Sequence, residues 1–234
     1  MAGQTVRKQI GYAWTDYVTW NDDERWELVG GEAFDMSPAP AVEHQRVVLR
    51  LAAAFHRHFA GKRCEVFVSP IDVKLSENDI VQPDIVVVCE RSKVKPTHID
   101  GAPTLVVEVL SPSTEMHDRL RKMALYARTG VKEVWLAMPS AALVEVFVLD
   151  GATYRLTGTY TRGDKLRSRV FPVMNVNLRH AFDFPAQTGE PVQVVREPGV
   201  SYRTRPPVRP VRRGAKGVGT RTRRPISGQQ KRTA

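Results

Sequence analysis

The stretch TLVVEVLSP, residues 104–112, has the composition of a buried β-strand, because aliphatic and β-branched residues dominate it up to a Ser-Pro stop. One acid, Glu108, stands in the middle of this stretch. A carboxylate inside such a strand costs on the order of several kcal/mol unless a cation, a proton or hydrogen bonds compensate it. The sequence therefore predicts a compensating group beside Glu108.

A second acid stands in a similar setting earlier in the chain. Asp84 opens the apolar segment DIVVV, residues 84–88. If the two strands are neighbours, Asp84 and Glu108 converge on one hard divalent cation, whose preferred ligands are oxygens. Such a site would polarise a phosphate oxygen and hold an attacking water. The alternative is structural: Asp84 only begins a strand, and Glu108 forms a buried salt bridge.

The size and composition of the chain indicate one well-cored domain with an appendage, since it has 234 residues. No apolar run approaches the roughly 20 residues of a membrane span, and the N-terminus lacks the apolar core of a secretory signal. A cytoplasmic protein without a membrane span is therefore predicted. Cys64 and Cys89 lie in strand-like stretches and are predicted to be buried, reduced thiols.

The excess positive charge is concentrated at the C-terminus. Residues 196–234 hold twelve of the 35 basic residues and one of the 25 acids, so residues 1–195, with 23 bases and 24 acids, are nearly neutral. Residues 186–234, called here the basic tail, are rich in Pro, Gly and Arg and are predicted to be disordered. The tail is either a solvated extension or a nucleic-acid tether that contacts phosphates without reading sequence. The cations proposed to bind nucleic acid are Arg212, Arg213, Lys216, Arg221, Arg223 and Arg224.

Residues 1–185 alternate between helical and strand-like patterns, which predicts a single α/β (α+β) domain. The first half is expected to hold a hairpin across Gly30-Gly31, a long helix over 41–60 with Glu43 and His44 in its first turn, strands over 64–69 and 71–75 bent at Pro70, and a turn over 76–79. The strand of Asp84, a polar loop over 90–102 and the strand of Glu108 follow. The second half is expected to hold a helix from 113 or 114 to 129, a strand over 132–138, a hairpin across Asp150-Gly151, a short strand near Val170 and a small helix over 178–182.

Several segments together resemble the Uma-two-type restriction endonuclease family, part of the PD-(D/E)XK nuclease superfamily. They are QPDIVVV (82–88), GAPTLVVEVLSPST (101–114), KMALYARTGVKEVW (122–135), WELVGGE (26–32) and EHQ (43–45). The resemblance spans roughly residues 12–185 and leaves out the basic tail. It implies a restriction-endonuclease-like core, a mixed central β-sheet flanked by helices, and a Mg²⁺- or Mn²⁺-dependent endonuclease that hydrolyses phosphodiester bonds in DNA.

The resemblance also implies site residues. Asp84 and Glu108 match the two motif acids, Glu43 is placed for an additional acid on the first long helix, and the backbone carbonyl of Val109 is a further metal ligand. The chain departs from the superfamily at Leu110, where the motif lysine should stand.

Lys122, on the helix that follows Glu108, is the best candidate to supply the missing cation. Its alternative is a solvated surface pair with Asp118, worth about 0.3–0.5 kcal/mol. Tyr126 shares the helix stripe of Lys122 and would position the helix or a phosphate. His44 would contact the metal or a phosphate, or else serve as a cap or a surface residue.

Two main hypotheses follow. The first is the metal-dependent endodeoxyribonuclease with Asp84, Glu108 and Lys122 as catalytic residues. The second is a catalytically weak or inactive nucleic-acid-binding protein on the same fold, with Leu110 marking the lost catalysis. An ammonium of Lys122 pointing away from Asp84 and Glu108 would favour the second. A metal-dependent hydrolase of another phosphate ester is a weaker third. A homodimer is a further expectation, drawn from nucleases that cut both strands and from no residue of this chain.

Overall fold

A computed structural model describes residues 6–7, 11–20, 25–36, 39–110 and 115–184, with side chains described in these ranges except at 6–7 and 115–120. The basic tail and its six predicted nucleic-acid-binding residues lie outside the described residues. The predicted limits of the domain at 185 and 186 therefore stay a prediction.

The strands, in chain order, are β1 (Val6–Arg7), β2 (Trp26–Val29), β3 (Glu32–Asp35), β4 (Glu65–Val68), β5 (Asp72–Ser76), β6 (Asp79–Val81), β7 (Ile85–Val88), β8 (His98–Asp100), β9 (Leu105–Val109), β10 (Glu133–Met138), β11 (Leu143–Asp150), β12 (Thr153–Thr161), β13 (Lys165–Arg167) and β14 (Asn175–Asn177). The α-helices are α1 (Trp14–Tyr17), α2 (Val42–Phe59), α3 (Glu115–Thr129) and α4 (Leu178–Phe182).

The central sheet has the strand order β12-β11-β10-β9-β7-β4. Strands β9 and β10 are parallel and α3 connects them, whereas the other pairs are antiparallel. Successive side chains alternate between the two faces. Val107 and Val109 pack on one face with α2 and α4, and Val106 and Leu110 pack on the other face with α3. By this alternation, Glu108 belongs to the α3 face.

A second sheet, in the order β1-β3-β2-β6-β5-β8, packs against the α3 side of the central sheet. Val29 of β2 and Val73 of β5 share a buried cluster there with Val106 of β9. The predicted hairpin over Gly30-Gly31 is confirmed as β2 and β3. Both glycines have positive φ, 61° and 78°, which the tight two-residue connection requires.

Helix α2 covers the opposite face of the central sheet. Val47, Leu51 and Phe55 repeat at helical spacing and are buried there. The ring of Phe55 meets Trp135 of β10 edge to face, with centroids 5.0 Å apart. This apolar stripe docks α2 on the sheet and so places its first turn, with Glu43 and His44, at one end of the sheet.

Two parts of the sequence-based assignment are wrong: two short strands were missed, and a strand was expected near Val170, where the described residues form none. Strand β6 begins inside the predicted turn and β8 inside the predicted polar loop; each has three residues, too few for a periodic pattern to show. The two strands predicted before and after Pro70 are present as β4 and β5, and they belong to different sheets. Val170 lies between β13 and β14 rather than in a strand, and its N–H donates to a carboxylate oxygen of Glu133 at 2.7 Å.

The prediction that Cys64 and Cys89 are buried, reduced thiols is also wrong. Cys64 and Cys89 form a disulfide, and both are only partly buried. In the β4–β7 ladder, Glu65 lies opposite Val88, so the two cysteines are the next facing pair, with Cα atoms 4.0 Å apart. The pairing register of the strands brings the thiols together, and composition alone does not reveal that register.

Within the described ranges, no helix has the length and apolarity that crossing a membrane would need.

Asp79 holds the hairpin turn to α3. Asp79 is 6% exposed. Its carboxylate accepts hydrogen bonds from the Gly30 N–H at 2.8 Å, from the Ser76 hydroxyl at 2.7 Å and from Arg128 Nη2 at 2.6 Å. Burial alone would raise the pKa of Asp79, but the hydrogen bonds from Gly30, Ser76 and Arg128 together lower it. A depressed pKa means that the ionised carboxylate stabilises the folded state.

We therefore expect Asp79→Asn to lower the free energy of unfolding by about 2 kcal/mol at pH 7, since it weakens charge-assisted hydrogen bonds. Because the folded pKa lies below the unfolded value of about 3.9, this contribution is present above that value and is lost as pH falls through the folded pKa. Urea unfolding at pH 7 and at pH 3 measures both effects. The control is Asp150→Asn, which removes an exposed pair with Arg155. An Asp79→Asn deficit of the same size at both pH values would contradict the prediction.

Candidate active site

The β7–β9 ladder brings two acids of the site together. Ile85 lies opposite Val107 in this antiparallel pair, so the next position places Asp84 opposite Glu108. Both acids belong to the α3 face by strand alternation. The Val109 N–H donates to Asp84 Oδ2 at 2.7 Å. The structure thus joins two strand ends into one acidic pair.

Helix α3 brings a cation and a phenol to this pair. Lys122 Nζ lies 3.4 Å from Glu108 Oε1, and the Tyr126 hydroxyl donates to the same oxygen at 2.5 Å. Lys122 is 8% exposed, so it is not a solvated surface residue. Leu110, at the motif-lysine position, is buried among apolar side chains. The ammonium therefore reaches the acidic pair from the helix and not from the strand.

Glu27 is a member of the site that the sequence analysis missed. It is 4% exposed on β2 of the second sheet, and its Oε1 lies 2.8 Å from Lys122 Nζ. The same oxygen accepts the Gln82 N–H at 2.9 Å. Lys122 thus bridges Glu27 of one sheet and Glu108 of the other. The signal was present in the sequence, because Glu27 is an acid inside the apolar segment WELV, as Glu108 is inside its own strand.

Glu108 is held in an unfavourable environment for a charge. Burial raises its pKa, and although Lys122 lowers it, the neighbouring charges of Asp84 and Glu27 raise it further, to about 7. The hydrogen bond from Tyr126 favours the ionised form. Since Asp84 and Glu27 disfavour the ionised form of Glu108, a further cation beside the cluster would favour that form.

His44 reaches the pair from the first turn of α2. Its Nε2 lies 3.3 Å from Asp84 Oδ2. Burial lowers the pKa of His44, but the hydrogen bond and charge of Asp84 outweigh this effect, so the net pKa is raised. The buried Nδ1 finds no hydrogen-bond partner among the described residues. His44 therefore contacts Asp84 through one ring nitrogen.

Two other predicted ligands border this cluster. Glu43 precedes His44 in the first turn of α2 and is half-buried. Val109 follows Glu108 on β9, and its N–H already contacts Asp84, so its carbonyl belongs to the same strand end. Their roles as metal ligands remain proposals.

The donor set suits a hard divalent cation. Asp84 uses Oδ2 and Glu108 uses Oε1 in the contacts given above, whereas Asp84 Oδ1 and Glu108 Oε2 make no hydrogen bond to the described residues. Two carboxylate oxygens are thus left on one sheet face, and oxygen donors are what Mg²⁺ and Mn²⁺ prefer. No set of three His, Cys, Asp or Glu side chains within the described ranges is arranged to hold a metal ion. Since Mg²⁺ commonly keeps several waters and uses one or two carboxylates, the pair fits such an ion.

Comparison with known proteins gives the family. The family model Uma2, described as "Putative restriction endonuclease", matches residues 14–179. The chain belongs to the Uma2 family. The uncharacterized protein slr1290 of Synechocystis sp. is 31% identical to this Uma2 protein over 131 residues, which cover 55% of this chain and 68% of that protein. A second Synechocystis protein, sll1609, is 27% identical over 145 residues, 61% and 75% of the two chains.

A solved structure shows the same fold. It is the crystal structure of a "putative nuclease belonging to DUF820" from Anabaena variabilis, which superposes on this Uma2 protein with a TM-score of 0.60 at 15% sequence identity and covers 74% of this chain and 98% of that chain. The resemblance inferred from the sequence and the restriction-endonuclease-like α+β fold class are therefore confirmed.

Proposed function

We propose that this Uma2 protein is a Mg²⁺- or Mn²⁺-dependent endonuclease that hydrolyses phosphodiester bonds in DNA. The observation that carries the proposal is the Asp84–Glu108 pair, with one oxygen of each carboxylate directed to no described residue and the ammonium of Lys122 3.4 Å from Glu108. An acidic pair with an adjacent buried lysine meets the needs of metal-assisted phosphodiester hydrolysis. Family membership supports a nuclease in general and leaves substrate and metal to experiment.

The residues divide the work as follows. Asp84 and Glu108, with Glu43 and the Val109 carbonyl, would hold the metal, which when bound polarises a phosphate oxygen and lowers the pKa of a bound water. Lys122 would place its positive charge beside the phosphate or orient the attacking water. Tyr126 holds Glu108 through one oxygen, and His44 holds Asp84 through one oxygen. These contacts keep the two acids in a fixed orientation for catalysis.

The first experiment is nicking of supercoiled plasmid by the full chain with Mg²⁺ or Mn²⁺. We expect conversion of supercoiled to nicked or linear DNA that EDTA abolishes. The alternative function, a nucleic-acid-binding protein without cleavage, is favoured by one observation, the apolar Leu110 at the motif-lysine position. Folded protein that never cuts, but binds DNA in a salt-sensitive way, would replace our proposal by this alternative.

The basic tail bears on both functions. We propose that it tethers DNA through phosphate contacts, because twelve of its residues are Lys or Arg and the rest of the chain is nearly neutral. A full-length variant with the six predicted contact residues changed to Gln tests this role. It removes the proposed phosphate contacts of the tail and leaves the residues of the active site unchanged. A homodimer and a cytoplasmic location remain proposals, and the Cys64–Cys89 disulfide weighs against the second, since disulfides are rare in the cytosol.

Metal binding is expected to stabilise the fold. A ligand that binds only the folded state at 100 times its Kd adds about 2.7 kcal/mol, which for a domain of this size corresponds to a rise in Tm of about 5–10 °C. Thermal unfolding with and without Mg²⁺ or Mn²⁺ measures this shift independently of any cleavage. Asp84→Asn should lose most of the shift, and the exposed acid control Asp100→Asn should keep it. An unchanged shift in Asp84→Asn would show that the metal binds elsewhere.

A further inference from the structure

Arg25 is a cation beside the active site that the proposed mechanism does not use. It directly precedes β2 and stands two positions before Glu27, so the two side chains share a strand face. Arg25 is half-buried. Its Nε donates to Gln82 Oε1 at 3.0 Å, and its Nη2 donates to the Ser69 hydroxyl at 2.7 Å. These bonds hold the guanidinium in a defined place.

Both partners of Arg25 adjoin Asp84. The Ser69 N–H donates to the backbone carbonyl of Asp84 at 3.1 Å. Gln82 stands two residues before Asp84 in the chain, and its own N–H is bound by Glu27. The guanidinium therefore rests on two chain segments that adjoin Asp84.

The orientation of the Gln82 amide is fixed. Its Nε2 donates to Asp72 Oδ1 at 2.9 Å, so its Oε1 is left to face Arg25. The Ser69 hydroxyl is the second group that holds Arg25, by accepting a hydrogen bond from Nη2. Arg25 is thus held by groups that are themselves held, which lowers the conformational entropy lost when it binds a ligand.

No acid neutralises Arg25 among the described residues, because both of its partners are uncharged. Arg128 and Arg162, by contrast, each pair with an Asp. A half-buried cation without a counter-charge is costly unless an anion compensates it. Arg25 therefore lacks an anionic partner within the part of the chain that the structure describes.

The donors that Arg25 leaves over have the geometry of a phosphate fork. A guanidinium has five N–H donors, and the Nε and Nη2 bonds use two of them. The far edge of the guanidinium pairs one N–H of Nη1 with one N–H of Nη2, and Nη1 makes no hydrogen bond to a described residue. This parallel pair of donors is the one that binds carboxylate or phosphate oxygens in bidentate fashion.

We propose that Arg25 binds a phosphate of the DNA backbone at the mouth of the active site; the inference rests on the proposed endonuclease function. The charge of the site supports it. Asp84, Glu108 and Glu27 repel a polyanion, and Lys122 is already bound between two of these acids. An arginine beside Asp84 whose described partners are both uncharged supplies the attraction that brings the phosphate chain against an acidic cluster.

The test measures binding apart from cleavage. The full chain and its variants are titrated into a fluorescent 20-base-pair duplex with Ca²⁺ in place of Mg²⁺, over a series of KCl concentrations, and the duplex is checked for integrity on a gel. Arg25→Gln is expected to raise Kd about tenfold and to reduce the slope of log K against log salt by about 1. Arg25→Lys should keep the slope and lose part of the affinity, because it retains the charge without the fork.

The matched control is Arg155→Gln, an exposed arginine on β12 that already pairs with Asp150. It should change Kd less than about twofold. Every variant keeps the basic tail, so the contribution of the tail cancels in the ratio of Kd values. Equal Kd and equal slope for Arg25→Gln and the parent would overturn the inference, and so would a parent that does not bind the duplex.

A second measurement covers the case in which Arg25→Gln does not fold. Parent protein is treated with phenylglyoxal, which modifies arginine, with and without the duplex, and the adducts are located by mass spectrometry. Protection of Arg25 by DNA supports the inference, and unchanged modification overturns it. If the parent never cuts plasmid yet shows Arg25-dependent binding, the endonuclease proposal fails and this inference stands. If the parent cuts and Arg25→Gln binds and cuts equally well, only this inference fails.

Discussion

Replacing Glu108 by Gln is expected to lower the plasmid-nicking rate of the full chain by about a thousandfold, since metal-assisted charge stabilisation is worth several kcal/mol. Gln keeps the shape of Glu and can still accept the hydrogen bond of the Tyr126 hydroxyl, which the parent places at 2.5 Å. What it removes is the negative charge and the second carboxylate oxygen. We therefore expect Glu108→Gln to lose both the nicking rate and the metal-dependent rise in Tm.

The same variant should not lose stability without metal. Burial and the neighbouring acids raise the pKa of Glu108, so its charge is unfavourable in the folded protein. Neutral replacement of a poorly compensated buried charge is often neutral or stabilising. We expect the metal-free free energy of unfolding to stay within about 1 kcal/mol of the parent or to rise. A residue that costs stability and supports activity is one that the fold keeps for function.

Glu65→Gln is the matched control, because it removes an exposed acid from β4 of the same sheet. It should cut at the rate of the parent and keep the metal-dependent rise in Tm. If Glu108→Gln cuts at near parental rate, Glu108 is not a metal ligand. If it cuts slowly but unfolds several degrees earlier without metal, the rate loss is a folding defect and the assignment of Glu108 fails as well.

The sequence was sufficient to identify the acids on the two central strands. Glu108 interrupts an apolar strand, and that single anomaly already predicts a compensating group. The sequence predicted that the two acids would converge if their strands were neighbours. The register of β7 against β9 places Asp84 opposite Glu108. Lys122 followed from helical spacing and from the resemblance to a family. These predictions were within reach because each depended on one element or on two adjacent strands.

The sequence was not sufficient to place Glu27 or Arg25. Arg25 directly precedes β2 and Glu27 lies in it, and the contacts of both depend on the second sheet packing over the α3 side of the central sheet. The residue pattern of β2 does not indicate which distant helix this strand will contact. The Cys64–Cys89 disulfide was missed because β5 and β6 separate β4 from β7 in the chain, and no pattern in the sequence indicates that β4 and β7 pair. What sequence reasoning lacked throughout was the pairing of distant elements.

Lys122 is the residue on which the whole catalytic interpretation depends, because Leu110 leaves the motif position apolar. We expect Lys122→Met to lower the nicking rate about 100- to 1,000-fold, the range found when one preorganised charge-stabilising donor is removed. Met matches the apolar stem and removes the ammonium. Lys132→Met, at an exposed position just before β10, is the matched control and should cut at the parental rate.

Glu27 makes this prediction sharper. Since Glu27 Oε1 lies 2.8 Å from the ammonium and Glu108 Oε1 lies 3.4 Å from it, Glu27 holds Lys122 and acts through it. Glu27→Gln should lower kcat about tenfold with little change in KM, because it misplaces a catalytic charge and leaves DNA binding intact. In a Lys122→Met background, Glu27→Gln should cost almost nothing further in rate. Full additivity of the two losses in this double-mutant cycle would contradict a positioning role.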